Sequence, residues 1–256
     1  MSSQYVPSAQ RRKIGHITPS SNTVLEPLTT LMTRELDELV SHHFTRIKVE
    51  AITLEPRHIE QFRPEAMLAA AELLSDAAVD AIVWNGTSAA WTGLDSDRQL
   101  CALISEHTGV PSSTSTLAQL EICSRGGFTR CGLAVPYTAE VTARIIDIYG
   151  REGVDVRSHA NSGVSGNREM ALVSEAEVCQ LLRAADSPEA ECLILICTGV
   201  AGAQLVEEME QELGKPIFDS VAVVLWKALA LAGIEPRLDG WGSLFAGSTP
   251  ALAPAL

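Results

Sequence analysis

The feature that most constrains this chain is that it runs through much the same pattern twice. Residues 14–24 read IGHITPSSNTV and residues 131–141 read CGLAVPYTAEV; at an offset of 117, Gly15 meets Gly132, Pro19 meets Pro136 and Val24 meets Val141. Residues 79–88 (VDAIVWNGTS) match residues 190–199 (AECLILICTG) at an offset of 111, each an acidic residue, an apolar run and a short polar turn. Residues 109–111 (GVP) match 214–216 (GKP) at an offset of 105. Matches that keep their order while the offset shrinks are what a tandem duplication with small length differences leaves behind.

Each copy alternates strand-length apolar runs with helical spacing. Strands are expected at 13–18, 45–54, 81–85 and 111–113, then at 131–135, 154–159, 192–196 and 216–218. Helices are expected at 22–40, 64–78, 95–108, 174–185, 205–213 and 221–232, with Ser174 and Glu177 forming a capping-box pattern and Gly109, Gly214 and Gly233 as stops. Strand–helix alternation predicts an α/β fold with mainly parallel sheets. The repeat makes it two similar pseudo-symmetric lobes, each a parallel sheet flanked by helices, with the active-site cleft between them. The expected boundaries are an N-terminal lobe at 13–117, a C-terminal lobe at 118–220, a last helix at 221–233 that packs back on the first lobe, and tails at 1–12 and 248–256.

Lys and Arg total 19 against 32 Asp and Glu, a net charge of −13, which argues against a nucleic-acid or anionic-membrane surface. No apolar run approaches the roughly 20 residues of a membrane span, and no signal-like apolar region follows the N-terminus. A cytoplasmic location is the expectation, with reduced thiols. The six cysteines, at 101, 123, 131, 179, 192 and 197, show no paired metal-ligand spacing, so no metal is expected. With no GxGxxG after the first strand and no GxxxxGK[ST], no nucleotide cofactor is expected either.

In open parallel sheets, ligands sit beyond the carboxyl ends of the strands. The turns to inspect are therefore residues 19–22 (Pro-Ser-Ser-Asn), 85–88 (Asn-Gly-Thr-Ser), 136–138 (Pro-Tyr-Thr) and 197–199 (Cys-Thr-Gly). Hydroxyls, amides and backbone N–H groups gathered there suit a carboxylate. Ser20, Ser21, Asn22 and Thr138 are equally suited to helix capping. Cys197 ends the strand CLILIC, where a following helix N-terminus would lower a thiol pKa and fit it for proton transfer. The other five cysteines fall at strand starts or within helices and are expected to be structural. The repeat pairs Cys197 with Gly86, so one lobe offers a thiol and the other none. Two opposed acid/base groups suit a racemase; a single one suits loss of CO₂ followed by protonation from one face. His16 is expected to be a satisfied core histidine, the remaining histidines to lie at turns or element ends, and Trp84 and Trp91 to line the cleft or pack the core.

At these residues the chain resembles the aspartate/glutamate racemase superfamily, in the branch of maleate cis–trans isomerases and arylmalonate decarboxylases. PSSNT at 19–23 resembles the isomerase signature with its carboxylate-binding Asn22. GTS at 86–88 resembles the decarboxylase motif in which glycine replaces the first superfamily cysteine. Tyr137 matches a shared substrate-binding tyrosine, Cys197 the second superfamily cysteine, and Asn167, in SGNREM, an isomerase asparagine. The resemblance implies a cofactor-independent decarboxylase of a substituted malonate-type diacid: Thr87, Ser88, Tyr137 and backbone N–H groups would form a dioxyanion hole, and Cys197 would protonate the enediolate. Thr198 departs from the decarboxylase pattern, where glycine follows the cysteine, and would narrow the pocket or add a donor. The alternatives are an isomerase or racemase of a small dicarboxylate, and a non-catalytic carboxylate-binding protein. Relatives of both kinds leave a homodimer open. The two-lobed layout predicts closure of the lobes over the substrate.

Overall fold

A computed structural model describes Pro7 and residues 10–247; the tail expected at 248–256 lies outside the described residues. The first sheet is built from β1 (Arg12–Pro19), β2 (Val40–Ile47), β3 (Ala81–Trp84) and β4 (Ser112–Thr114), all parallel, in the order β2-β1-β3-β4. The second repeats this with β5 (Arg130–Val135), β6 (Asp155–Asn161), β7 (Cys192–Leu195) and β8 (Ile217–Asp219), in the order β6-β5-β7-β8. The two lobes are thus the same fold twice, as the repeat requires. No helix among the described residues is long and apolar enough to cross a membrane.

The matched glycines have a packing cause. A Cβ on Gly132 would stand 2.1 Å from the carbonyl oxygen of Ala185, at the end of α8 (Glu175–Ala185), and one on Gly15 would stand 3.1 Å from the side chain of Leu74 in α3 (Pro64–Asp76). A helix passes that closely over the central strand of each sheet. The Ser174–Glu177 capping box that opens α8 is present in full.

Two expected elements are corrected. The helix read at 22–40 is only α1 (Leu25–Met32) and a 3-10 turn at Arg34–Leu36, and the strand read at 45–54 is β2, starting at Val40. Thr33 turns the chain: its hydroxyl donates to the carbonyl of Thr29 and pairs with the imidazole of His42. His42 therefore lies within an edge strand, not in a turn. The half-buried, polar run of β2 does not look apolar enough for a strand in sequence. Three helices lie where no helix was expected, α2 (Pro56–Glu60), α4 (Ala89–Thr92) and α7 (Ala139–Arg151), and α6 (Ser115–Gly126) is the helix expected around Cys123. Thr114 and Thr138 cap α6 and α7 through their side chains.

α5 (Leu94–Thr108) and α9 (Val206–Leu213) complete the two flanking layers, and the last helices of the two copies are exchanged. α10 (Ser220–Leu231), which follows β8, packs on α6, β4, β3 and α1. α6, which follows β4, sends Gln119 into the second lobe. The amide of Gln119 donates to the carbonyls of Leu195 and Phe218, and its oxygen accepts from Tyr149. Buried aliphatic side chains from both sheets form one continuous core across this junction.

Candidate active site

The carboxyl ends of β1, β3, β5 and β7 face each other across the lobe boundary, and the turn residues converge there on one cavity. Its walls include Gly86, Thr87, Ser88, Tyr137, Cys197 and Thr198, with Asn167 at one side. All are buried. The cavity measures about 20 Å³, room for a single water at roughly 10–15 Å³ and too little for a diacid. A groove of about 870 Å³ between α1 and β2 is roomier, but none of these turn residues reaches it; convergent donors, not volume, mark a site.

In the first lobe the turn after β3 is fixed by Asn85. Its amide donates to the carbonyls of Ile17 and Val83, and its oxygen lies 3.3 Å from Nδ1 of His16. His16 is a core histidine, bonded also to His42 and stacked on Phe44; burial and the neighbouring imidazole hold its pKa well below the usual range. Beyond Asn85 the chain passes Gly86, whose Cβ position is taken by the ring of Trp84, 2.1 Å away. The Trp84 indole N–H donates to Ser88 Oγ at 3.3 Å, so the Ser88 proton is free to point elsewhere. Thr87 Oγ1 and Tyr137 Oη are 3.0 Å apart. Tyr137 also hydrogen-bonds the Cys197 thiol, so the protons open to a ligand are that of Ser88 and, once it turns from Tyr137, that of Thr87, with no basic side chain. Trp91 packs edge-on against Tyr137 at 5.2 Å. Both tryptophans line the cleft.

In the second lobe Cys197 follows β7 with a φ of 132°, a conformation that side-chain-bearing residues seldom adopt. Its N–H donates to Ser220 Oγ at 3.1 Å, and the Gly199 N–H donates to its sulfur at 3.3 Å. The expected lowering of the thiol pKa is corrected. No helix begins directly after Cys197, and burial pushes the thiol up to about 11, against hydrogen bonds from Tyr137 and the Gly199 backbone that pull it down. At neutral pH Cys197 is therefore S–H, an acid in waiting. Those same donors stand ready to carry the charge once the proton has left. Tyr137 stays a phenol, its pKa raised by burial and by Cys197.

Three of the candidate polar residues bind the lobes together. Thr198 Oγ1 donates to the Asn85 carbonyl across the boundary at 2.7 Å. Asn22 sits one layer out. Its amide donates to the carbonyl and hydroxyl of Thr198 at 2.9 and 3.3 Å, and its oxygen caps α1 through the N–H groups of Val24 and Leu25. Asn167 donates to Ser21 Oγ at 2.7 Å, in a loop tied to residues 50–52 by the Ala51–Gly166 bridge and the Asn167 and Ile52 N–H bonds to Glu50 and Ser165. Sequence reasoning missed the apolar wall from the first lobe, Val49, Ile52 and Phe62, which line the cavity from a loop without a motif. The other five cysteines do not line it.

The chain's likeness to known proteins fits this geometry. A family model described as arylmalonate decarboxylase matches residues 44–245. The chain is 29% identical over 164 residues to an arylmalonate decarboxylase of Bordetella bronchiseptica, covering 62% of this chain and 68% of that protein. It is 22% identical over 248 residues to a maleate isomerase of Alcaligenes faecalis, covering 93% and 98% of the two chains. In structure it resembles a maleate isomerase of Pseudomonas putida S16 solved with maleate, with a TM-score of 0.84 at 20% identity, over 93% of this chain and 98% of that one.

Proposed function

Because the chain belongs to the arylmalonate decarboxylase family, within the maleate isomerase and arylmalonate decarboxylase branch of the aspartate/glutamate racemase superfamily, we propose that it decarboxylates a substituted malonate-type diacid, with Cys197 as the proton donor. At the coarser level it is an enzyme of a carboxylate-acting family that uses cysteine chemistry. The observation that carries the finer reading is the pairing of the two turns. Cys197 lines the cavity on one side, while on the other the indole of Trp84 occupies the place of any side chain at Gly86. One acid faces one blank wall.

The chemistry follows from the site. One carboxylate of the diacid accepts hydrogen bonds from Thr87 and Ser88, while the Tyr137 hydroxyl stays on the Cys197 sulfur. The second lies against Val49, Ile52 and Phe62, where it cannot be solvated. The bond from the α-carbon to that carboxylate breaks, CO₂ leaves, and the electron pair spreads onto the retained carboxylate as an enediolate. The hydroxyls aimed at that carboxylate now bear on a full extra charge, and donors so placed are worth about 2.7–4 kcal/mol each in the transition state. The Cys197 S–H then gives its proton to the α-carbon. The thiolate rests on the Gly199 N–H and the Tyr137 hydroxyl until water returns a proton. A thiol held at about 11 suits an acid; addition to a double bond needs a thiolate.

Isomerisation of a small dicarboxylate is the second reading, supported by maleate isomerases that match over 93% of the chain. Proton NMR in D₂O separates the two, with α-aryl-α-methylmalonate and maleate as substrates and Cys197→Ser alongside. Deuterated monoacid, lost in the variant, supports decarboxylation by Cys197. Fumarate from maleate overturns it.

A further inference from the structure

Trp84 enters the chemistry above only as the ring that fills the place of a side chain at Gly86. It is buried, with its N–H fixed by Ser88, and Phe62 packs against it at 6.3 Å. The Trp84 side chain also lines a second cavity of about 230 Å³, together with Met67, Asp97 and Leu100, among others. Trp84, Ser88 and Phe62 are common to the walls of both cavities. The side cavity reaches the surface at the exposed residues Ser96 and Gln99. The indole is therefore part of the wall shared by the catalytic cavity and a space that water can enter.

We propose that Trp84 is the specificity-determining residue of this site: its indole closes the Gly86 face of the bound intermediate, so that the proton comes from Cys197 alone and the product has one handedness. This rests on the decarboxylase reading. An enediolate is planar and has two faces. Cys197 serves one. The mirror-related position, Gly86, holds no acid, but the absence of a thiol there does not exclude water. Only a solid wall does, and the ring that makes a Cβ impossible at residue 86 is that wall. With the indole removed, water from the side cavity can give a proton to the same carbon from the opposite face, leaving hydroxide to exchange with solvent.

The test uses α-methyl-α-phenylmalonate, whose monoacid product is chiral, with the wild type, Trp84→Ala and Trp84→Leu; the leucine variant covers the case in which the larger void is not tolerated. The expected result is a single dominant enantiomer from the wild type and an enantiomer ratio lowered about tenfold or more in the variants, the scale on which a lost pocket contact changes discrimination. An unchanged ratio in a folded variant that turns over overturns the proposal. A structural role for Trp84 would lower the rate without moving the ratio. A second arm does not depend on turnover. Gly86→Cys is made with Trp84 intact and with Trp84→Ala, and labelling of the introduced thiol by a maleimide is mapped by peptide mass spectrometry. The proposal expects a folded, labelled thiol only when the indole is gone. A stable protein labelled with Trp84 in place overturns it. If the wild type releases no CO₂, the functional reading fails, and the labelling arm still decides whether the wall exists.

Discussion

The indole of Trp84 and the α-carbon of Gly86 exclude a side chain between them: a Cβ on Gly86 would fall 2.1 Å from one ring carbon and 2.3 Å from another. A backbone two residues from its own tryptophan ring cannot yield by moving a flexible tip. Gly86→Ala is therefore expected to destabilise the fold by about 1–3 kcal/mol, the usual cost of overpacking a filled core. Urea unfolding measures it, and a variant as stable as the wild type would place the ring elsewhere in solution.

The Thr87 hydroxyl reaches Tyr137 but faces the same cavity. Thr87→Val keeps the shape and removes the donor. The expected loss is about 10²–10³ in kcat, as for a single oxyanion-hole donor. A change confined to KM would mean that the hydroxyl holds the ground state and the transition state equally.

Cys197 is held at a φ of 132°, in glycine's territory. Alanine normally outranks glycine by about 0.5–1 kcal/mol in ordered backbone. Here the order should reverse, because strain of about 1–3 kcal/mol attends a side chain in such a conformation. Cys197→Gly is expected to unfold at higher denaturant than Cys197→Ala, with both inactive. The usual order would show that the turn relaxes without cost.

Ala78 is a second residue at positive φ, 51°, just after α3. That is the position where helices most often end in glycine. Ala78→Gly is expected to raise stability by up to about 1 kcal/mol, read from the chemical-denaturation midpoint with activity unchanged.

Asp97, in the first turn of α5, is buried and accepts a hydrogen bond from Thr114; burial raises its pKa from 3.8 to about 7. Unfolding returns it to its ordinary value, so between about pH 4 and 7 the folded chain holds a proton that the unfolded chain has lost. Its contribution to stability therefore falls as the pH rises through that window and levels off above it. Asp97→Asn lacks this slope, so its stability relative to the wild type should climb from pH 4 to 7. A difference that stays constant with pH would mean that Asp97 titrates normally.

Much of this was legible in the chain because the duplication writes the fold twice. Gly15 and Gly132 could be paired by eye since each is forced by a helix crossing a central strand. That Thr87, Ser88, Tyr137 and Cys197 meet at one cavity could be anticipated because strand ends in a parallel sheet have known addresses. What escaped has equally physical causes. β2 is a half-buried edge strand whose His42 and Phe44 pack on His16, so it lacks the apolar run of a central strand. The thiol pKa was misjudged because a turn, not a helix, follows Cys197, and burial outweighs the local donors. The relation between Trp84 and Gly86 depends on a rotamer, to which sequence spacing is blind. Asn22 has a capping pattern and a ligand-binding pattern at once; its side chain here is committed to α1 and Thr198.

A cavity of about 20 Å³, shut by bonds from Thr198 to Asn85 and from Asn167 to Ser21, also carries a thermodynamic toll. The shut form is a competitor of the substrate. Any diacid must capture the minority of molecules in which those bonds are open, so its measured dissociation constant is the intrinsic one divided by the open fraction; if one molecule in about a hundred is open, binding weakens about a hundredfold. The Thr198–Asn85 bond joins the strand-end turns of the two lobes, and the Asn167–Ser21 bond and Ala51–Gly166 bridge tie the loops at the rim. On the decarboxylase reading, selectivity then resides as much in which diacids can displace those bonds as in which ones fit the donors beneath them.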